Sequence, residues 1–389
     1  MNLPVNFKHI MVLTGEPSGD FHAGRLIEEI RRRDDRIYFS GIGGPMLKEQ
    51  GVELFYDIEN LSAMGITEVL MQFRHIKKAF DLFREKLNFH LPDLVILVDY
   101  PGFNLRAAGY VKEHYPVKIL YYITPKVWAW KKSRLFKIKK YVDHAALIFP
   151  FEEKLYKKAG IPSTYVGNPL MDDYPENLSK SFLRSKTLSP RLNDPIIIGL
   201  LPGSRTAEIK NLLDIMIQSA CLIHQKQNQT RFLVSKAASI KRELLEDPIQ
   251  KSGNPQIFDI VEGPVRKILM RSNLIIAASG TVTLEAALLC IPTLLIYKMA
   301  RLSFWAAKLL VKVKYAGLAN LIADEEIMPE MLQGEATPEK IGIKVVHMLA
   351  HKRYYESRLE QVRKKLGRKG AAKNAAGIAM NLLRESHFR

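Results

Sequence analysis

Short apolar runs alternate with amphipathic helical patterns along almost the whole of this chain, and this alternation limits the possible folds more than any other feature. Runs such as LVILV at 94–98 are continuous, and helical periodicity fills the gaps between them, as in Phe21–Arg33 and Val265–Arg271. Strands that are apolar on both faces need helices on both sides of their sheet. The pattern therefore predicts an α/β fold with doubly wound parallel sheets.

The predicted strands form two series. The first series is His9–Thr14, Tyr38–Ile42, Leu94–Val98, Lys118–Tyr122, His144–Phe149 and Ser163–Val166. The second series is Pro195–Leu201, Arg231–Ser235, Gln256–Val261, Leu274–Ala278 and Thr293–Tyr297. Gly167–Asp194, between the two series, is polar and rich in Pro, Asp, Asn and Ser, as in a connection between domains.

A chain of 389 residues also exceeds the usual size of a single hydrophobic core. We therefore predict two Rossmann-like domains, residues 1–175 and 190–350, that face each other across a cleft at the carboxyl ends of their strands. The remaining segment, 351–389, carries eleven Lys or Arg residues against three Asp or Glu residues and has a helical pattern. We expect this basic tail to pack back on the N-terminal domain or on a partner chain, which would make the protein a homodimer.

The formal net charge of +18 indicates an anionic partner, which is nucleic acid, an anionic membrane surface or a phosphorylated substrate. A generic basic surface is the alternative. The two cysteines, Cys221 and Cys290, are far apart and lack metal-ligand spacing, so we expect a reducing cytoplasm and no zinc site. We also expect no signal peptide and no transmembrane segment, because no apolar stretch has the length that either needs.

The stretch GEPSGD, residues 15–20, follows the first predicted strand. Ser18 or Asp20 is suited to cap the next helix, and Gly19 permits close approach of the backbone. Glu16 adds a carboxylate at the same strand end. The stretch does not match the GxGxxG dinucleotide fingerprint, and an ordinary strand-to-helix turn is the alternative.

Asp99 directly follows the apolar run at 94–98. At the end of a buried strand its carboxylate lies at the predicted cleft and is partly shielded from water, which suits a general base. Pro101 and Gly102 leave the alternative that Asp99 only caps the next turn. We interpret Asp99 as functional.

Two strand ends of the second domain are suited to bind a nucleoside diphosphate. In LLPGSR, Gly203 and Ser204 offer backbone N–H groups, and Arg205 offers a permanently charged guanidinium. The second strand end, SGTVTLE at 279–285, provides the start of a helix and then a carboxylate suited to the two hydroxyls of a ribose. Its candidate residues are Ser279, Gly280, Thr281 and Glu285. The sequence has no DxD pair or His/Asp cluster to hold a metal, so we expect neither a metal nor another cofactor, and Arg205 with fixed dipoles would stabilise the leaving diphosphate.

In these motifs the sequence resembles the lipid-A-disaccharide synthases, glycosyltransferases of the GT-B type. The resemblance covers nearly the whole chain. Its motifs are GEPSGD (15–20), GIGGPMLKEQG (41–51), MGITEVL (64–70), VDYPGFN (98–104), YYITPKVWAW (121–130), FPFE (149–152), VGNPL (166–170), LLPGSR (200–205), SGTVTLE (279–285) and NL (320–321).

The resemblance implies a hexosyltransferase that transfers 2,3-diacylglucosamine from its UDP derivative to 2,3-diacylglucosamine 1-phosphate. The reaction inverts the anomeric centre, forms a β-1,6 link and releases UDP. By the same resemblance Asp99 matches the catalytic aspartate, Glu16 matches the acid of the first glycine-rich turn, and Arg205, Glu285 and Asn320 match residues associated with the UDP-sugar. Where the family often has Ala and His, this chain has Pro17 and Asn168, and we assign no role to Asn168.

Two amphipathic stretches with basic residues at their edges suit a helix that lies in an anionic membrane interface. The apolar positions of the first stretch are Val69, Leu70, Phe73, Ile76, Phe80 and Phe83. The second stretch, 300–315, contains Trp305 among several lysines. An ordinary core-facing helix is the alternative for each, but acylated substrates favour at least one interfacial helix. We therefore expect a peripheral protein on the cytoplasmic face of the inner membrane.

Two other functions would account for part of this sequence. A UDP-N-acetylglucosamine 2-epimerase shares the GT-B architecture and a UDP site, but it has no need of an apolar helix with a basic rim. An RNA-binding protein would explain the charge, but Tyr121, Tyr122, Trp128 and Trp130 do not form an RRM or OB-fold pattern. We therefore expect no nucleic-acid partner.

Overall fold

The computed structural model of the chain describes residues 7–61, 68–129, 133–174, 194–278, 280–298, 313–367 and 369–385. The chain divides into two compact units, the first formed by Met1–Asp173 with Arg368–Arg389 and the second by Tyr174–Gly367. The boundary at Asp173 lies inside the predicted connection Gly167–Asp194. The tail 351–389 is divided between the two units.

The first unit is built on a seven-stranded sheet in which every pair of neighbouring strands is parallel. The strands are β1 Lys8–Leu13, β2 Ile37–Gly43, β3 Glu53–Asp57, β4 Leu94–Val98, β5 Lys118–Tyr122, β6 His144–Leu147 and β7 Ser163–Tyr165. Their order is β3-β2-β1-β4-β5-β6-β7. All five residues of β4 are buried, because helices cover both faces of the sheet.

In the described residues of the first unit, six helices connect these strands. They are α1 Pro17–Arg31, α2 Pro45–Glu49, α3 Glu68–Phe89, α4 Pro101–His114, α5 Arg134–Tyr141 and α6 Glu152–Ala159. Phe83, Val111 and Ile138 of α3, α4 and α5 belong to the core on one face of the sheet. Leu26 and Ile30 of α1 belong to the core on the other face.

The second unit is built on a six-stranded parallel sheet with the order β10-β9-β8-β11-β12-β13. Its strands are β8 Ile196–Leu201, β9 Thr230–Lys236, β10 Phe258–Glu262, β11 Leu274–Ala278, β12 Thr293–Tyr297 and β13 Glu330–Leu332. Its helices are α7 Thr206–Lys226, α8 Glu243–Gln250, α9 Arg266–Arg271, α10 Val282–Leu288, α11 Leu318–Ala323, α12 Pro338–Ala350 and α13 Lys352–Lys365. Short 3₁₀ turns cover Ile58–Leu61, Pro169–Asp173, Pro255–Ile257 and Gln333–Glu335.

The last helix, α14 Ala371–Glu385, returns to the first unit and packs against α1. Ala375, Ala379 and Leu383 bury its apolar face in the core that contains β1 and β4. Helix α13 packs instead on α10 and α11 of the second unit. The prediction that C-terminal helices pack back on the N-terminal domain is confirmed for α14.

The predicted α/β class with two parallel doubly wound sheets is confirmed, but the sequence patterns did not predict β3 and β13. Both strands lie at the edge of a sheet. β3 begins with the exposed Glu53 and has one buried residue, and the three residues of β13 are all half-buried. An edge strand does not need a continuous apolar run, so that pattern does not detect it. Among the described helices, none combines the length and the hydrophobicity needed to cross a bilayer.

Candidate active site

The strand order of each unit contains a point at which the chain reverses its direction of winding. In the first unit this switch point lies between β1 and β4, and in the second it lies between β8 and β11. Helices leave opposite faces of the sheet on the two sides of a switch point and open a crevice at the carboxyl ends of the strands. Glu16 and Asp99 follow β1 and β4, and Arg205 and Gly280 follow β8 and β11, so the sequence candidates lie at the two switch points.

The backbone at Asp99 adopts an uncommon conformation. Asp99 has φ +48° and Tyr100 has φ +44°, both in the left-handed region that residues other than glycine rarely occupy. Each such residue costs on the order of 1–3 kcal/mol and persists only when the surroundings hold it in place. Strain of this kind occurs often at functional sites.

Hydrogen bonds fix this strained turn on both sides. The N–H of Asp99 donates to the carbonyl oxygen of Tyr122 at 3.2 Å. The carbonyl oxygen of Asp99 accepts from Nδ2 of the buried Asn104 at 2.7 Å and from the hydroxyl of Tyr121 at 2.8 Å. These hydrogen bonds fix the backbone from which the carboxylate of Asp99 projects at the end of β4.

Three charged groups interact at this switch point. Burial raises the pKa of the half-buried Asp99, and the N–H of Tyr100 and the ammonium of Lys126 act in the opposite direction. Burial also raises the pKa of Glu16, the negative charge of Asp99 raises it further, and Lys126 again lowers it. A raised pKa makes Asp99 a stronger proton acceptor once it is ionised.

Replacing Lys126 with Met should therefore make Asp99 harder to ionise. If turnover requires ionised Asp99, activity decreases as the pH drops through the pKa of this carboxyl. Without the ammonium of Lys126 this pKa is higher, so the decrease in activity begins at higher pH. A profile of kcat/KM against pH measures the shift, because it reports groups of the free enzyme. Lys154→Met is the matched control, since Lys154 is an exposed lysine on α6 of the same unit. If the acid limb of the profile stays at the same pH in Lys126→Met, the charge of Lys126 does not act on the group that controls it.

The glycine-rich turn GEPSGD is closely packed. A Cβ atom on Gly15 would lie 2.1 Å from the ring of Tyr100, and one on Gly19 would lie 2.3 Å from Oγ1 of Thr14. Ser18 is exposed, and α1 has no side-chain cap, so the predicted capping role is wrong. The carboxylate of Asp20 instead accepts N–H bonds from the start of α2, at 2.7 Å from Gly44 and 2.9 Å from Met46.

The second unit has a cavity of about 420 Å³ at its switch point. It brings together most of the candidates for the nucleotide, namely Gly203, Ser204, Arg205, Gly280, Thr281 and Glu285. Ser279 lies outside the described residues. The cavity size and the mixture of charged and small residues suit a polar ligand of moderate size.

The N–H groups after β8 already have an acceptor within this unit. Ser204 donates its N–H to Oε2 of Glu208 at 3.0 Å, and Nη1 of Arg205 lies 3.3 Å from Oε1 of the same carboxylate. The sequence predicted that these donors bind a diphosphate, whereas in the structure Oε2 of Glu208 accepts from the backbone N–H groups of Ser204 and Arg205 at the start of α7. The side chain of Arg205 is nevertheless 82% exposed. It is therefore free to turn toward an anion in the cavity.

Glu285 and Tyr174 form a polar pair beside this cavity. The half-buried carboxylate of Glu285 accepts from the hydroxyl of Tyr174 at 2.9 Å, and the guanidinium of Arg266 lies 4.4 Å from the Tyr174 ring. Tyr174 was not a sequence candidate because it lies in the polar segment interpreted as a connection. Lys236 was missed as well, although it ends β9 and lines the cavity next to β8. The sequence signal for Lys236 is its position directly after the predicted strand Arg231–Ser235, at the carboxyl end where ligands bind.

Asn320 has a structural role in this unit. Its side chain is fully buried, Nδ2 donates to the carbonyl oxygen of Met328 at 2.7 Å and to Glu330 at 2.8 Å, and Oδ1 accepts from the N–H of Met328 at 2.8 Å. All of these partners lie in the loop before β13 or in that strand. The polar atoms of Asn320 therefore hold this loop, and its association with the UDP-sugar stays a prediction from the resemblance.

The predicted membrane-contact residues differ in exposure. Phe73 is 68% exposed, Ile76 is half-buried against the core, and Phe80 is 7% exposed. Phe80 packs between Phe83 and Phe103, at centroid distances of 5.8 Å to each, so it is a core residue and the prediction of membrane contact is wrong for it. The side chains of Val69 and Leu70 and the whole of Trp305 lie outside the described residues.

Comparison with known proteins agrees with this fold. A family model described as lipid-A-disaccharide synthetase matches residues 10–382. A lipid-A-disaccharide synthase of Coxiella burnetii (strain Dugway 5J108-111) is 38% identical over 380 residues, which cover 97% of this chain and 99% of that protein. One from Geobacter metallireducens (strain ATCC 53774 / DSM 7210 / GS-15) is 37% identical over 381 residues, which cover 97% of each.

A solved structure with the same architecture is a UDP-N-acetylglucosamine 2-epimerase from Neisseria meningitidis bound to UDP-N-acetylglucosamine. The TM-score is 0.57 over 97% of this chain and 100% of that chain, at 13% sequence identity. A likeness at this level of identity establishes the fold and not the reaction.

Proposed function

The chain belongs to the lipid-A-disaccharide synthase family of lipid A glycosyltransferases, and from this premise we propose that it joins two acylated glucosamine units. The donor is UDP-2,3-diacylglucosamine, the acceptor is 2,3-diacylglucosamine 1-phosphate, and the products are the β-1,6-linked disaccharide 1-phosphate and UDP. The observation that most supports this choice is the family match over residues 10–382. Release of UDP from the donor only when the acceptor is present tests it.

Asp99 is the proposed general base. Its carboxylate takes the proton of the acceptor 6-hydroxyl, and the oxygen attacks the anomeric carbon of the donor from the face opposite the diphosphate. The bond between that carbon and the diphosphate oxygen breaks, and its electron pair leaves with UDP. One displacement inverts the anomeric centre and gives the β link. The strained turn at Asp99 supports this role because its hydrogen bonds fix the backbone that carries the carboxylate before substrate binds.

The cavity of the second unit is the proposed UDP site. Negative charge increases on the diphosphate as the bond breaks, and the guanidinium of Arg205 and the ammonium of Lys236 are the cations that line this cavity among the described residues. Glu285, which lines this cavity, is proposed to accept hydrogen bonds from the ribose hydroxyls. On binding, the diphosphate replaces Glu208 as the partner of Arg205 and of the N–H of Ser204. Before UDP binds, the carboxylate of Glu208 interacts with these donors in its place.

The acylated substrates stay in a bilayer, so we propose that the enzyme works as a peripheral protein on the cytoplasmic face of the inner membrane. The exposed Phe73 and basic side chains of α3, among them Arg74, Lys77 and Lys78, support this surface. Each basic residue near an anionic surface contributes about 1 kcal/mol. A homodimer through the C-terminal region stays a prediction, since α13 and α14 pack within their own chain.

Phe73→Ser should lower binding to vesicles containing phosphatidylglycerol several-fold, because an exposed ring no longer enters the interface. Co-sedimentation at low and high salt measures the apolar and the electrostatic parts. Phe89→Ser is the matched control, because Phe89 lies at the other end of α3 and is 76% exposed. An equal decrease in vesicle binding in Phe73→Ser and Phe89→Ser would contradict a docking surface at the start of α3.

A further inference from the structure

The first unit has two adjoining cavities that the reaction described above does not use. One has a volume of about 300 Å³ and begins at Pro101 and Gly102, immediately after the strained turn at Asp99 and Tyr100. The other has a volume of about 400 Å³ and extends along α4 to Tyr110. Leu105, Arg106 and Lys137 line both cavities, so they form one groove between α4 and α5, which we call the α4–α5 groove.

The packing around α4 differs between the two cavities of the groove. At Gly102 an added Cβ atom would meet nothing within 4 Å, so the entrance beside the turn is free. At Gly109, by contrast, an added Cβ atom would lie 3.4 Å from the ring of Tyr141, which brings α4 and α5 into close contact. The less crowded end of the groove is therefore the one that begins at Pro101, two residues after Asp99 in the chain.

Cations predominate in the lining of the groove. Arg84, Arg106, Arg134 and Lys137 line it, and Glu113 is the carboxylate among the described lining residues. Glu113 borders the cavity farther from Asp99, and its Oε1 accepts from the hydroxyl of Tyr141 at 3.0 Å. The excess of positive charge lies nearer to Asp99.

Two of these cations lack an acidic partner. Among the side chains that the structure describes, no carboxylate oxygen lies within 4.0 Å of the charged nitrogens of Arg106 or Lys137. The guanidinium of Arg106 lies 4.5 Å over the ring of Phe80, which limits its orientations while its N–H donors stay exposed. A guanidinium from α4 and an ammonium from α5 that line the same groove are a suitable pair of donors for a phosphate.

Resting on the proposed function, we propose that the α4–α5 groove binds the phosphate monoester of the acceptor through Arg106 and Lys137. The acceptor loses its proton at the 6-hydroxyl, at the opposite end of the sugar ring from the 1-phosphate. Arg106 is five residues after Pro101, a rise of about 7.5 Å along the helix. A phosphate held there places the sugar along the first turns of α4 and its 6-hydroxyl toward Asp99. The groove thus selects an acylated sugar that carries a phosphate.

The test compares two acceptors, 2,3-diacylglucosamine 1-phosphate and the same molecule without its phosphate, in wild type, Arg106→Ala and Lys137→Ala. We expect wild type to prefer the phosphorylated acceptor, and each variant to lower kcat/KM for it by about tenfold or more, the usual effect of losing a hydrogen bond to a charged group. The dephosphorylated acceptor should react at nearly the same rate with all three proteins. The KM for the UDP-sugar should not change.

Lys140→Ala is the matched control, because Lys140 is an exposed lysine of α5 outside the groove. Binding to phosphatidylglycerol vesicles, measured in parallel, distinguishes substrate phosphate from membrane headgroups. If the variants lose vesicle binding and keep the preference for the phosphorylated acceptor, the groove binds headgroups and the inference is wrong. If wild type transfers sugar and no variant alters the preference, the inference is also wrong while the proposed function stands. If wild type transfers no sugar to either acceptor, the proposed function fails first.

Discussion

Asp99→Asn is expected to lower the rate of sugar transfer by about 10²–10⁴-fold, the usual contribution of a general base. The asparagine side chain has nearly the same shape but cannot take the proton of the acceptor hydroxyl. Affinity for UDP, measured by calorimetry, should stay close to that of wild type, because the proposed UDP cavity lies in the second unit. Near wild-type turnover in this variant would show that Asp99 is not the base.

The same substitution should raise the thermal stability of the protein at neutral pH. Burial raises the pKa of Asp99, so the folded state holds the proton more tightly than the unfolded state does. The contribution of such a carboxyl to the stability of the fold is greatest at pH values below its pKa in the unfolded state. This contribution is lost as the pH rises through its higher pKa in the folded state. Asparagine does not ionise, so the variant avoids this loss of stability at neutral pH. Asparagine also tolerates the positive φ of +48° at this position at least as well as aspartate does. An increase in Tm together with loss of turnover would indicate a carboxylate retained for catalysis at a cost in stability.

Arg205→Ala should weaken UDP binding by about tenfold or more and slow the chemical step as well. A hydrogen bond to a charged group contributes about 1.5–3 kcal/mol, and the charge on the diphosphate increases in the transition state. Arg205→Lys should restore part of the loss, because lysine keeps the charge but lacks the bidentate geometry.

Arg231→Ala serves as the control, since Arg231 is an exposed arginine of the same unit that pairs with Asp259 outside the cavity. If Arg205→Lys binds UDP and turns over like wild type, the role of Arg205 is simple charge attraction to the diphosphate. No change in UDP affinity for Arg205→Ala would remove Arg205 from the site.

The sequence predicted the two parallel sheets because residues such as Ile96 and Ile276 are buried on both sides, and that burial requires continuous apolar runs. It also placed Asp99 and Arg205 at strand ends, since in a parallel sheet the carboxyl ends of neighbouring strands lie at one edge. These predictions depend on local patterns that the parallel α/β arrangement imposes along the chain.

Other properties depend on contacts between residues that are distant in the sequence. Helical periodicity puts Phe73 and Phe80 on the same face of α3, and only the packing of Phe103 against Phe80 shows that one ring is buried and the other exposed. Asn320 likewise matches a substrate-associated position in sequence, whereas its bonds to Met328 and Glu330 give it a structural role. Arg106 has the pattern of an ordinary solvent-facing helical residue until α5 places Lys137 beside it.

The most direct test of the proposed reaction is incubation of the purified protein with UDP-2,3-diacylglucosamine and 2,3-diacylglucosamine 1-phosphate, followed by mass analysis of the lipid product and assay of UDP. We predict one UDP per disaccharide 1-phosphate formed, a β-1,6 link, and no UDP release when the acceptor is omitted. A parallel incubation with UDP-N-acetylglucosamine should leave that sugar unchanged. Conversion of UDP-N-acetylglucosamine to the mannosamine epimer, with no disaccharide from the acylated substrates, would contradict the proposed reaction.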